Sequence, residues 1–124
     1  MTLNNECVRA LILWLEENQT VRPNGKPDVI MLHKIYGCFP DFSAADLNIA
    51  ASYLVQKKLI SLRDGQTVLN AAPRAFAITG ITAVGYDYIA AVKDDGLWKK
   101  IKDRVGSVAL ASVPTVIEVA AKLL

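Results

Sequence analysis

The stretch at residues 78–105, ITGITAVGYDYIAAVKDDGLWKKIKDRV, constrains the fold more than any other part of the chain. A short β-rich piece leads into Thr82, which has the chemistry of a helix N-cap. A helix follows, with Gly85, Tyr88, Ile89 and Val92 on its inner face. Asp94-Asp95-Gly96 breaks it, and either aspartate can cap the next helix, which runs from Leu97 to about Val105. Trp98 then reads as a core residue or a joint between the two helices, its indole N–H seeking a carbonyl or carboxylate.

The order of elements before this stretch sets the rest of the architecture. A first helix begins near Asn4 or Asn5 and ends near Asn18, with Val8, Leu11, Ile12 and Leu15 as its apolar face. Trp14 lies off that stripe and is placed to cover a neighbouring element. Residues 19–27 form a polar loop with two prolines and the Asn24-Gly25 turn signal. Residues 28–32 read as a short strand or extended segment, and 36–42 as irregular. Ser43-Ala44-Ala45-Asp46 is a capping box, opening a helix lined by Leu47, Ala50, Ala51, Leu54 and Val55. Lys57 and Lys58 close it, where cations suit the negative end of the helix dipole. Residues 59–62 form a strand, Arg63-Asp64-Gly65-Gln66 a turn and 75–79 a second strand. Between them, 67–74 either extends the hairpin or forms a loose wing tip. Ser112, with Pro114 in the first turn, starts a last helix to Leu124.

Helix, short strand, helix, strand, turn, strand is how a winged helix-turn-helix reads. The predicted fold is therefore α+β and winged-helix-like. It is a single domain with a core at residues 1–80 and a helical extension at 81–124. The middle helix of the motif is poorly marked: residues 33–36 are its remnant, or it is missing.

The combination of Leu59-Ile60, Ile81-Thr82, Gly85, Tyr88-Ile89, Asp94-Asp95 and Trp98 with its following lysines resembles the bacterial and prophage family called domain of unknown function 2513. The likeness is good over residues 54–105 and weak over 19–42. Tyr86 stands where that family usually has histidine, and Lys58 where it often has glycine. The resemblance implies a winged-helix-like fold and a phage or mobile-element origin. It implies no activity.

Bulk properties narrow the function classes. At 124 residues one core is affordable without staples, and 52% hydrophobic with 21% charged residues argues against extended disorder. The net charge of +2 does not by itself declare a nucleic-acid partner. The first ten residues, MTLNNECVRA, lack the basic and apolar regions of a signal peptide, so Cys7 and Cys38 are expected as reduced thiols in a cytoplasmic protein. Residues 105–124 are mostly apolar, but Pro114, Glu118 and Lys122 interrupt them, so a buried or partner-facing helix is expected rather than a membrane span.

No constellation of residues points to catalysis. His33 is the single histidine, and neither it nor the cysteines shows paired metal-ligand spacing. No third group orients a Cys38–His33 pair, and Gly80 and Gly85 match no nucleotide-binding fingerprint. Asp94 and Asp95 are better explained as caps than as an acid/base pair. The chain is thus expected to be a non-enzymatic binding module without cofactor or metal. Its partner is DNA, in a regulatory role, or a host protein that it docks on or inhibits.

For DNA, the helix at 43–58 is the recognition candidate, yet its first turns carry Ser43, Asp46, Asn48 and Ser52 without a cation. The wing offers Arg63, Gln66, Asn70 and Arg74. The most basic stretch, 93–104, adds Lys99, Lys100, Lys102 and Arg104, as a phosphate-facing patch or a solvated helix face. The predicted nucleic-acid contacts are Arg63, Arg74, Lys99, Lys100 and Lys102. The last helix carries a stripe of Val113, Val116, Ile117, Ala120 and Leu124, either a buried terminal helix or the seam of a homodimer.

Overall fold

The computed structural model describes residues 3–106 and 112–123. Among the described residues it holds five α-helices and one small antiparallel sheet. In chain order these are α1 (Asn5–Asn18), β1 (Ile30–Met31), α2 (Ala44–Gln56), β2 (Ile60–Leu62), β3 (Ala77–Ile81), α3 (Ala83–Val92), α4 (Asp95–Arg104) and α5 (Val113–Leu123). The fold is α+β, as the element order predicts.

The starts of α1 to α4 each follow from a local polar side chain. Asn4 accepts the Cys7 N–H, Thr82 accepts that of Gly85 and Asp94 accepts that of Leu97. Ser43 and Asp46 close a reciprocal capping box at α2. These bonds satisfy backbone donors that a helix cannot satisfy itself. The C-terminus of α2 is equally well defined. The Leu59 N–H reaches the Leu54 carbonyl and the Lys58 N–H reaches Val55, with Lys58 at φ 62°. That is a Schellman ending, and the buried Leu54 and Leu59 are placed to supply its apolar contact.

The sheet order is β1-β3-β2, both pairings antiparallel. Where a middle helix would stand, the chain makes two short 3-10 turns, Leu32–Lys34 and Tyr36–Cys38. The second strand of the hairpin begins two residues later than the sequence suggests. A 3-10 turn at Pro73–Ala75 holds the Phe76 N–H on the Pro73 carbonyl. Residues 67–74 do not extend the ladder. A turn at Thr67–Ala71 occupies them, and the wing is a loop braced by its own polar groups.

One cluster of buried apolar side chains runs from Cys7 in α1 to Ala120 in α5. α1 packs on α2 and α3, and α5 covers α3 and α4. Trp14 meets Phe39 with ring centroids 5.8 Å apart, covering the irregular segment before α2. The stripe considered for a homodimer seam is partly packed inside the chain. Val113, Val116 and Ala120 are buried and Ile117 is half-buried. Leu124 lies outside the described residues.

Candidate nucleic-acid interface

The five cations singled out for phosphate contact fall into two groups on different elements. Arg63 follows β2 and Arg74 sits in the 3-10 turn before β3, so both stand on the wing and both are exposed. Lys99, Lys100 and Lys102 ride on α4. That helix packs against α3 and α5, and Trp98 and Lys102 reach the first turn of α1. Among the described residues no hydrogen bond or ion pair joins the two groups.

The wing group gains members that the sequence did not mark. Arg63 lines an open cleft of about 290 Å³ together with Arg22, Lys26 and Asp64. Arg22 and Lys26 arrive there because the loop at 19–29 folds back as a tight hairpin. Val21 bridges Pro27, the Arg22 N–H reaches the Lys26 carbonyl, and Gly25 at φ 83° makes the turn. Arg22 is braced by an ion pair to Asp28 at 2.6 Å. On the far side of Arg63 its guanidinium lies 3.9 Å from the Met31 sulfur. The Arg74 carbonyl is 3.1 Å from the His33 Nδ1, which ties the wing to the first 3-10 turn and to the exposed Lys34 beside it. The Asn24-Gly25 turn signal was the one local hint of this arrangement.

The other two polar residues that the wing offers, Gln66 and Asn70, bond within the loop. Gln66 donates to the Ala75 carbonyl and accepts the Ala77 N–H. Asn70 accepts the Thr67 N–H and donates to the Gly65 carbonyl. They hold the wing in shape, and the arginines are what it offers outward.

On α4, Lys102 is not free. Its ammonium sits 2.7 Å from Glu6, which also accepts the Trp98 indole N–H at 3.1 Å. Arg9 lies over the Trp98 ring at 5.5 Å, donates to the Val92 and Lys93 carbonyls, and pairs with Asp95 at 2.7 Å. Burial acts to raise the Glu6 carboxyl. The hydrogen bonds of Lys102 and Trp98, with the charges of Lys102 and Arg9, outweigh it and hold the group below the usual glutamate range. This network locks α4 to α1, so Lys102 has a structural duty. Lys99 and Lys100 are exposed and make no ion pair among the described residues.

The outer face of α2 differs again. Asn48, Ile49, Ser52, Tyr53 and Gln56 line a shallow recess of about 350 Å³, closed at its ends by Leu3 and Pro73. Tyr36 donates its hydroxyl to Asn48. Not one cation lines this recess, so the helix predicted for the major groove offers polar and apolar contact without phosphate neutralisation.

The two cysteines are not paired with each other. Cys7 is buried and desolvation pushes its thiol up to about 12, while Cys38 is exposed on a separate turn. Among the described residues no group of three histidine, cysteine or carboxylate side chains is placed to hold a metal ion. No helix there is long and apolar enough to cross a membrane.

A family model described as "Hypothetical protein (DUF2513)" matches residues 2–111. No curated protein and no solved structure matches the chain.

Proposed function

We propose that this chain, which belongs to the domain of unknown function 2513 family, is a non-enzymatic, winged-helix-like protein that binds duplex DNA through its wing side. Its role would be regulatory, in the cytoplasm, for a phage or mobile element. The observation that carries the reading is the gathering of Lys26 and Arg63, beside Asp64 and the Asp28-paired Arg22, around one open cleft, with Arg74, His33 and Lys34 nearby. Cations drawn from three separate segments to one exposed surface favour a polyanion, because each one that meets a phosphate releases a counterion. The strand order and the place of α2 before the hairpin agree with a winged helix. The uncharged face of α2 would then read bases or pack without anchoring, and the wing would supply most of the affinity.

The test is a gel shift with a 30-base-pair duplex of mixed sequence at 50 mM salt. Wild type is expected to shift it. Arg63→Ala with Arg74→Ala is expected to weaken the shift about tenfold, two lost phosphate contacts being worth roughly that much. Absence of any wild-type shift defeats the reading. A second reading is favoured by the recess on α2. Its Ile49, Tyr53, Leu3 and Pro73 suit a protein partner better than a phosphate backbone, as for an adaptor or an inhibitor of a host enzyme or defence complex.

A further inference from the structure

The central strand of the sheet is flanked on one side for only part of its length. β3 runs Ala77–Ile81, but β1 pairs with Ala77 and Ile78 alone. Past Ile78 the chain that would continue β1 turns away into the hairpin at 19–29. Among the described residues no backbone hydrogen bond from that hairpin reaches Thr79, Gly80 or Ile81. On the other side β2 is fully engaged: Ile60 pairs with Ile81, and the Thr82 N–H reaches the Leu59 carbonyl. Strand alternation therefore turns the Ile81 backbone groups away from β2, toward the unflanked side.

That side is a groove of about 330 Å³ with apolar walls. Leu15 and Ile81 form its inner wall, and Val21, Pro27 and Tyr86 its rim. Val21 is 68% exposed and Tyr86 54%, two of the most exposed large apolar side chains described. The single charged side chain in the lining, Glu16, is already paired with Lys93 at 3.0 Å. Edge strands are normally blunted with charge. This one is bordered by apolar rims and by Gly80, which lines the groove and carries no side chain.

We infer that this groove is a docking site for an extended segment of a partner protein, added as a strand beside Thr79–Ile81. The unflanked edge asks for main-chain hydrogen bonding, and Val21 and Tyr86 ask for an apolar side chain at alternate positions. The one charge in the lining, Glu16, is already met by Lys93, so the partner segment is uncharged and β-branched or aromatic at those positions. The groove adjoins the Arg63 cleft and shares Pro27 and Thr79 with it, but docking there does not rest on DNA binding.

The test uses the full chain and a displayed library of random twelve-residue peptides, followed by backbone amide chemical-shift mapping of the selected peptide. Selection of sequences with alternating apolar residues is expected, with shifts concentrated at Thr79, Gly80, Ile81 and Tyr86. Val21→Glu and Tyr86→Glu, both at exposed positions, should each weaken that peptide at least tenfold. Leu69→Glu, exposed on the wing, should leave it unchanged. Failure to select any peptide, shifts confined to another surface, or indifference to both glutamates would overturn the inference. So would concentration-dependent self-association of the chain that the same two glutamates abolish, because the occupant would then be a second copy.

Discussion

Two backbone positions show most directly why this family signature has the residues it has. Gly85 lies where α3 crosses the end of α2. A Cβ there would stand 2.1 Å from the Leu59 carbonyl oxygen and 2.6 Å from the Ile81 side chain. The first neighbour is backbone and cannot turn aside. Gly85→Ala is therefore expected to cost about 3 kcal/mol, the upper part of the overpacking range. A fall in melting temperature of roughly 10 °C would register it. Lys58 is the reverse case. It holds the left-handed position of the Schellman ending at φ 62°, where L side chains are strained. The resembling family's frequent glycine at this place thus has a physical reason. Lys58→Gly is expected to stabilise the fold by about 1 kcal/mol, read as a higher denaturant midpoint at unchanged slope. Capping residues such as Ser43, Thr82 and Asp94 were legible in the sequence because each acts within three residues of itself. The close approach at Gly85 was legible only as an inner-face position, since Leu59 is far away along the chain.

At the scale of elements, the joint between α1 and α4 depends on ionised Glu6. Its carboxyl is held below the usual glutamate range. A depressed folded value means that the stabilisation is complete at neutral pH. It is lost as pH falls from the ordinary range near 4.3 through the lower folded value. At pH 7 the Glu6→Gln variant should be less stable than wild type by on the order of 1 kcal/mol, as befits a half-exposed group. Urea titrations at pH 7 and pH 3 should show this gap narrowing in acid. A gap that stayed constant would assign the joint to packing of Trp98 alone. The existence of the five described helices was legible from apolar spacing and caps. The partner of Trp98 was foreseen in kind, as a carboxylate or carbonyl, but not as Glu6, because the contact spans 92 positions of sequence. The wing was half legible. Its turn was marked by Asp64-Gly65. The loop that follows is set by side-chain bonds from Gln66 and Asn70, which no periodicity announces.

For the whole molecule, the family signature and the proposed DNA-binding surface are separate. Leu59, Thr82, Gly85, Tyr88, Asp94 and Trp98 are a helix ending, a cap, a close approach, core, a second cap and a joint. They maintain a scaffold. The exposed cations of the wing side come from segments that are distant in sequence, which is why Arg63 and Arg74 were legible there and Arg22 and Lys26 were not. The same separation explains why charge density along the chain pointed to residues 93–104. Lys102 in that run holds α1, leaving Lys99 and Lys100 on an open helix face.

The central claim is that the wing side, and not α4, meets a polyanion. The most direct measurement is the salt dependence of duplex DNA affinity, by fluorescence anisotropy from 25 to 200 mM salt. Three proteins are compared: wild type, Arg63→Ala with Arg74→Ala, and Lys99→Ala with Lys100→Ala. Each phosphate contact contributes about 0.9 to the slope of log affinity against log salt. The wing pair is predicted to flatten the slope by about 2 while the α4 pair leaves it at the wild-type value. A slope flattened by the α4 pair and untouched by the wing pair would contradict the account.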